Sequence, residues 1–100
     1  MARELIHPGE FLADELQEIG MSPTEFSRQI DVPANRVSQI ISGKRSVSAD
    51  TALRIGHFFD TGPELWMNLQ KSYDIDLARE EAGEAIALLP QWKEPAANRH

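Results

Sequence analysis

The residues whose types and spacing could do chemistry lie in one stretch, DVPANRVSQIISGKRSVSADTA, from Asp31 to Ala52. Asn35, Gln39 and Ser42 recur at intervals of four and three, the repeat of one helix face. On a helical wheel of about 100° per residue, Val37, Ile40 and Ile41 gather on one side and these three on the other. Ser38 and Arg36 flank the outward ridge. It is nearly uncharged but dense in hydrogen-bonding groups. Amides and guanidinium are the groups that pair with base edges through two hydrogen bonds: Asn or Gln with adenine, Arg with guanine. Any solvent-facing helix also shows polar residues, so the wheel alone leaves both readings open.

The bulk charge argues the other way. The chain has 100 residues and a formal net charge of −6, an unpromising balance for binding a polyanion. That charge is polarised along the sequence. Residues 1–23 sum to −4, residues 24–45 to +2, residues 46–60 to −1 and residues 61–100 to −3. Arg28, Arg36, Lys44 and Arg45 create the only positive segment, and it is the one that carries the ridge.

Other chemistries find little support. There is no cysteine, which excludes disulfides, thiol catalysis and thiolate zinc sites. His7, His57 and His100 are dispersed, no nucleophile–base pair stands at a suggestive spacing, and the glycines form no phosphate loop. We therefore expect no enzyme, metal, cofactor or small-molecule substrate. The opening MARELIHPGE lacks the apolar stretch of a signal peptide. The longest apolar run, AIALL, is far short of the ~20 residues of a membrane span. A soluble, cytoplasmic protein without membrane contact is expected.

The elements that must position the ridge read as all-α, since period-2 alternation and hairpin turns are missing. Helix one starts near Pro8, repeats Leu12, Leu16 and Ile19, and stops at Gly20. Its Asp14, Glu15 and Glu18 form an acidic face, a solvated surface or a docking site for a basic partner. SPTE opens helix two as a capping box on Ser22, with Phe26 and Ile30 inward. Only a few residues separate helix two from helix three, which is helix-turn-helix spacing. Ser27 is small where the two must cross, and Asp31 occupies the turn position that calls for a left-handed backbone. Helix four, capped by Ser48, carries Ala52, Ile55 and Phe59, with Leu53 and Phe58 flanking them, and should be broadly buried. TGPE reads as a second capping box, on Thr61. Helix five then buries Trp66, Leu69 and Tyr73, and a last helix runs from residue 74 to about 89, ended by Pro90. The remaining QWKEPAANRH reads as a frayed tail.

Three segments in order, HPGEFL, NRVSQIISGKRSVSADTALR and GPELWMNLQKSYDIDLAR, resemble the HigA-family antitoxins. These are a branch of the repressor-like (Xre, lambda/Cro-type) helix-turn-helix proteins. The resemblance covers about residues 7–80 and implies a five-helix DNA-binding domain over residues 1–80. An additional C-terminal helix ends in residues 81–100. It implies that the third helix enters the major groove, with Asn35, Arg36 and Gln39 reading bases. It places Ser22 and Thr24 at phosphate-contacting positions and Lys44 and Arg45 at a basic pair after helix three. Arg28, Ser38 and Ser42 complete the expected backbone contacts. Asp31 replaces the usual turn glycine, and Ala34 stands where relatives often carry an amide.

By the same resemblance, the protein represses its own operon and neutralises a basic HigB-type (RelE-like) mRNA endonuclease toxin. The alternatives are a regulator of this class without a toxin, and a helical interaction module that does not bind DNA. Four local basic groups neutralise few phosphates, so a twofold homodimer is expected. It would set two recognition helices about 34 Å apart on palindromic double-stranded DNA. Trp66, Leu69 and Ile86 are the candidate dimer contacts, unless they complete the monomer core.

Overall fold

A computed structural model describes residues 5–94. These fold into α1 (Pro8–Ile19), α2 (Pro23–Gln29), α3 (Arg36–Ile41), α4 (Ala49–Phe59) and α5 (Pro63–Ala87). No strand occurs among the described residues. The all-helical class is as the sequence pattern implies, and the five-helix core is as the resemblance implies. Leu12 and Leu16 of α1, Phe26 of α2, Val37 and Ile40 of α3, Ala52 and Ile55 of α4, and Trp66 of α5 meet in one core with Ile30 and Val47.

Local chemistry starts and stops these helices. Ser22 caps α2, its Oγ accepting from the Glu25 N–H at 3.1 Å. The Glu25 carboxylate pairs with Arg28 and accepts from Gln29 Nε2 at 2.7 Å. Ser48 caps α4 by accepting from the Thr51 N–H. Thr61 is not a cap: Gly62, at φ 82°, precedes α5, and Thr61 Oγ1 instead accepts from the Trp66 indole at 3.1 Å. A backbone with positive φ suits glycine and is strained for a β-branched residue. The second capping box is thereby replaced by a tertiary contact.

At the start of α1, His7 is buried and its Nδ1 accepts from the Gly9 N–H at 2.9 Å. The His7 N–H in turn donates to the Glu10 carboxylate, and Tyr73 of α5 lies edge-on to the ring at 4.9 Å. Burial pushes the imidazole below its ordinary value of about 6.5, against the upward pull of Asp74 and Glu10. A cap that accepts at Nδ1 needs the neutral ring. Above about pH 6.5 both folded and unfolded chains hold His7 neutral, so this stabilisation is complete. It is lost as pH falls from there through the lower folded value. The melting midpoint should drop between pH 7 and pH 5. His7→Asn, which keeps a capping acceptor without a titrating ring, should flatten that slope.

Three packing expectations change. Ile19, the last residue of α1, is 47% exposed. Helix α4 is buried on one side only, leaving Leu53 59% exposed and Phe58 resting edge-on against Phe26 at the rim. The flanking residues turn away from the side that α5 covers. Finally, helix five and the last helix are one helix of 25 residues. No proline or glycine lies near Tyr73 and Asp74 to break it. What looks like a junction is a change of face. Trp66, Leu69, Gln70 and Tyr73 share one side, while Ile75, Ala78, Ala82 and Ile86 centre about 165° around the same helix.

The first half of α5 packs on α4 and α1. The second half projects, so the molecule measures 60 × 29 × 22 Å with a radius of gyration of 18.4 Å. A compact 100-residue domain would have about 13 Å. Of the expected tail, residues 91–94 are exposed and irregular. The rest lies outside the described residues.

Candidate nucleic-acid interface

The turn between α2 and α3 positions the whole site. Asp31 takes the left-handed conformation its place demands, at φ 59°. Val32 N–H returns to the Ser27 carbonyl at 3.0 Å. Ser27 is fully buried between the helices, and its Oγ accepts from the Val37 N–H at 3.4 Å. That bond matters because Asn35, at the N-cap of α3, makes no side-chain cap of its own. A hydroxyl from α2 thus satisfies one of the free N–H groups that open α3. Asn35 is left with its amide free of the helix.

Two further residues lock the motif. Arg54 of α4 donates through Nη1 to the Ile30 and Asp31 carbonyls at 3.0 and 3.2 Å. Its Nε pairs with Asp50 at 2.9 Å, an arrangement that raises its pKa further. Gly9 lets α1 cross α3 at contact: a Cβ there would sit 1.9 Å from the Ile40 carbonyl oxygen.

The ridge is exposed at Asn35, Ser38 and Ser42 and half-buried at Gln39. The structure sorts the expected site residues by what their polar groups already do. Asn35, Thr24 and Lys44 are solvent-facing, while the exposed Arg28 pairs with Glu25 and the exposed Arg45 with Gln39. Arg36 leaves the ridge: half-buried, it reaches α4, where Nη1 donates to Thr51 Oγ1 at 3.2 Å. That bond braces α3 against the first turn of α4, and Arg36 lies about 60° around the helix from Gln39. Ser38 and Ser42 donate their hydroxyls to the carbonyls of Asn35 and Gln39, both at 3.1 Å. In that rotamer they lack the free donor that a phosphate needs. Ser22 accepts rather than donates in its cap, so its own proton stays free for an anion.

After α3 the chain doubles back. Gly43 adopts φ 79°, and the Lys44 N–H donates to the Gln39 carbonyl at 2.9 Å. Arg45 Nε donates to Gln39 Oε1 at 2.8 Å. The loop is then tied to α5, where buried Gln70 accepts from the Val47 N–H at 2.7 Å and donates to Asp74 at 3.0 Å.

Sequence reasoning missed Gly9, Arg54 and Gln70. Gln70 carried a signal, an amide four residues after Trp66 on the apolar face of its helix. Arg54 carried a weaker one, the i,i+4 spacing from Asp50. The proposed dimer contact at Trp66 is a correction. The residue is 1% exposed, packed between Phe11 at 5.3 Å and Phe59 at 6.2 Å. Leu69 is half-buried against the same core. Ile86, 56% exposed, stays on the surface.

Two helices joined by a tight left-handed turn, braced by three others and showing an amide ridge, define an Xre-type helix-turn-helix domain. Residues 12–66 match the family described as Helix-turn-helix. The chain belongs to the HigA branch of that family. It is 43% identical to an addiction module antidote protein of the HigA family from Coxiella burnetii, with a TM-score of 0.86. The match covers 90% of this chain and 100% of that one. Pseudomonas aeruginosa antitoxin HigA, solved with the higBA promoter, is 39% identical over 90% of this chain and 100% of its own, with a TM-score of 0.85. Virulence-associated protein I of Dichelobacter nodosus is 33% identical over 86 residues, covering 85% of this chain and 80% of that protein.

Proposed function

We propose that this protein is a sequence-specific repressor of double-stranded DNA and the antitoxin of a toxin–antitoxin pair. It acts without catalysis or cofactor in the cytoplasm. The observation that carries the DNA half is the α3 ridge: Asn35 and Gln39 face outward from a buried helix, beside exposed Lys44. That a relative at 39% identity was solved with promoter DNA supports the same reading. Asn35 and Gln39 read base edges in the major groove. Lys44, Arg28, Thr24 and Ser22 hold phosphates on either side.

The protein works as a homodimer on a palindrome. Self-association uses the projecting half of α5, where Ile75, Ala78, Gly83 and Ile86 line an apolar groove. Among the described residues nothing covers this groove, which leaves it open to another molecule. The bound operon is the protein's own. The neutralised partner is a basic HigB-type, RelE-like mRNA endonuclease, which the family resemblance and the net charge of −6 support. Co-purification of a second, basic chain from the native operon tests that half.

Binding to the protein's own promoter at two salt concentrations tests the DNA half. Affinity should fall steeply with salt. Asn35→Ala should cost about 1–3 kcal/mol on the operator and relax sequence preference. Lys44→Ala should weaken all sequences alike and reduce the salt slope by about one unit. A salt-insensitive shift, or intact discrimination in Asn35→Ala, would overturn the assignment of α3.

A further inference from the structure

Arg45 is exposed but does not stand free as a phosphate clamp would. The backbone reversal at Gly43 returns it to α3, where its Nε donates to Gln39 Oε1 at 2.8 Å. The Gln39 main-chain carbonyl receives two more bonds from the same loop, from the Lys44 N–H and the Ser42 hydroxyl. The loop thus converges on one residue of the recognition helix and fixes both its backbone and its amide.

We infer that Arg45 is a specificity-determining residue that turns Gln39 into a reader of guanine instead of adenine. This rests on the reading that α3 enters the major groove. A free glutamine suits adenine because its oxygen accepts from N6 while its nitrogen donates to N7. Here the oxygen is engaged by a cation, and Nε2 is the group left to face the base. With one lone pair of its oxygen held by that cation, the amide meets the base donor first and prefers an acceptor edge. Guanine offers two acceptors, O6 and N7, where adenine sets one acceptor beside a donor. The guanidinium charge acts in the same direction, favouring guanine O6 and opposing the adenine amino group. Arg45 is thereby a positioning residue acting through Gln39, and its own free N–H groups reinforce the choice.

The test measures affinity for promoter fragments changed one base pair at a time. Gln39→Ala locates the position whose preference it erases. At that position the unsubstituted protein should favour G·C over A·T by roughly tenfold. Arg45→Met removes the guanidinium from an exposed side chain outside the core, and an unchanged melting midpoint verifies the fold. It should bring the ratio close to one or reverse it. Lys44→Met should weaken every fragment and leave the ratio as it was. A preference for adenine in the unsubstituted protein would overturn the inference. So would uniform weakening by Arg45→Met with the ratio unchanged, which would make Arg45 a simple phosphate contact. Failure of the unsubstituted protein to bind any fragment at low salt is a separate result, and it sinks the repressor reading itself.

Discussion

Gly9→Ala should lower the melting midpoint by about 10–20 °C and weaken operator binding beyond what that loss of stability explains. One methyl group is added, but it is added against backbone. Its Cβ would lie 1.9 Å from the Ile40 oxygen, 2.7 Å from the Ile40 carbon and 2.9 Å from Ile41 Cα. None of these can rotate away as a side-chain end could. The helices must separate instead. Overpacking of this kind costs about 1–3 kcal/mol and at times more. In a domain this small each kcal/mol moves the midpoint by about 4–8 °C. Alanine's better helix propensity returns at most about 1 kcal/mol, so the clash wins. Because α3 is the element displaced, Asn35 and Gln39 move with it. Calorimetry and promoter binding on one preparation check both effects. A neutral or stabilising outcome would mean that α1 and α3 do not cross at contact.

Trp66→Ala should cost about 3–5 kcal/mol, a large part of the 5–15 kcal/mol that holds a typical domain together. The indole fills the centre of the core between Phe11 and Phe59, and its Nε1 satisfies Thr61 at the turn into α5. Truncation leaves a cavity bordered by α1, α4 and α5. The consequence separates core from interface. Trp66→Ala should lower the melting midpoint of the chain in keeping with that cost at any concentration. Ile86→Asp, on the projecting half of α5, should abolish self-association and leave the helical content of the monomer largely intact. Circular dichroism with sedimentation checks the pair. If Trp66→Ala gave a monomer of unchanged thermal stability, the residue would belong to the interface after all.

Much of the fold was legible because it depends on local patterns. Ser22 and Ser48 cap their helices as their spacing implies. Asp31 takes a positive φ because a short helix-helix turn must reverse, and Asp tolerates that backbone better than most residues. The amide ridge was legible for the same reason: Val37 and Ile40 fix which face of α3 is buried, and periodicity fixes the rest. Thr61 was misread because its oxygen has two claimants, its own helix and a distant indole. No local rule chooses between them. The second apolar stripe of α5 was legible as a stripe, but not as the opposite face of an unbroken helix.

The sequence by itself therefore determined the helical class, the helix-turn-helix and the outward amides. Each follows from residue spacing along one helix or one turn. Tertiary structure alone decided what those groups are free to do. It sent Arg36 to Thr51, Arg45 to Gln39 and Arg54 to the turn carbonyls. It buried Trp66 and left Ile86 bare. The partner of a long side chain is set by what other elements bring within reach, and a bond across 6, 15 or 24 residues leaves no periodic trace.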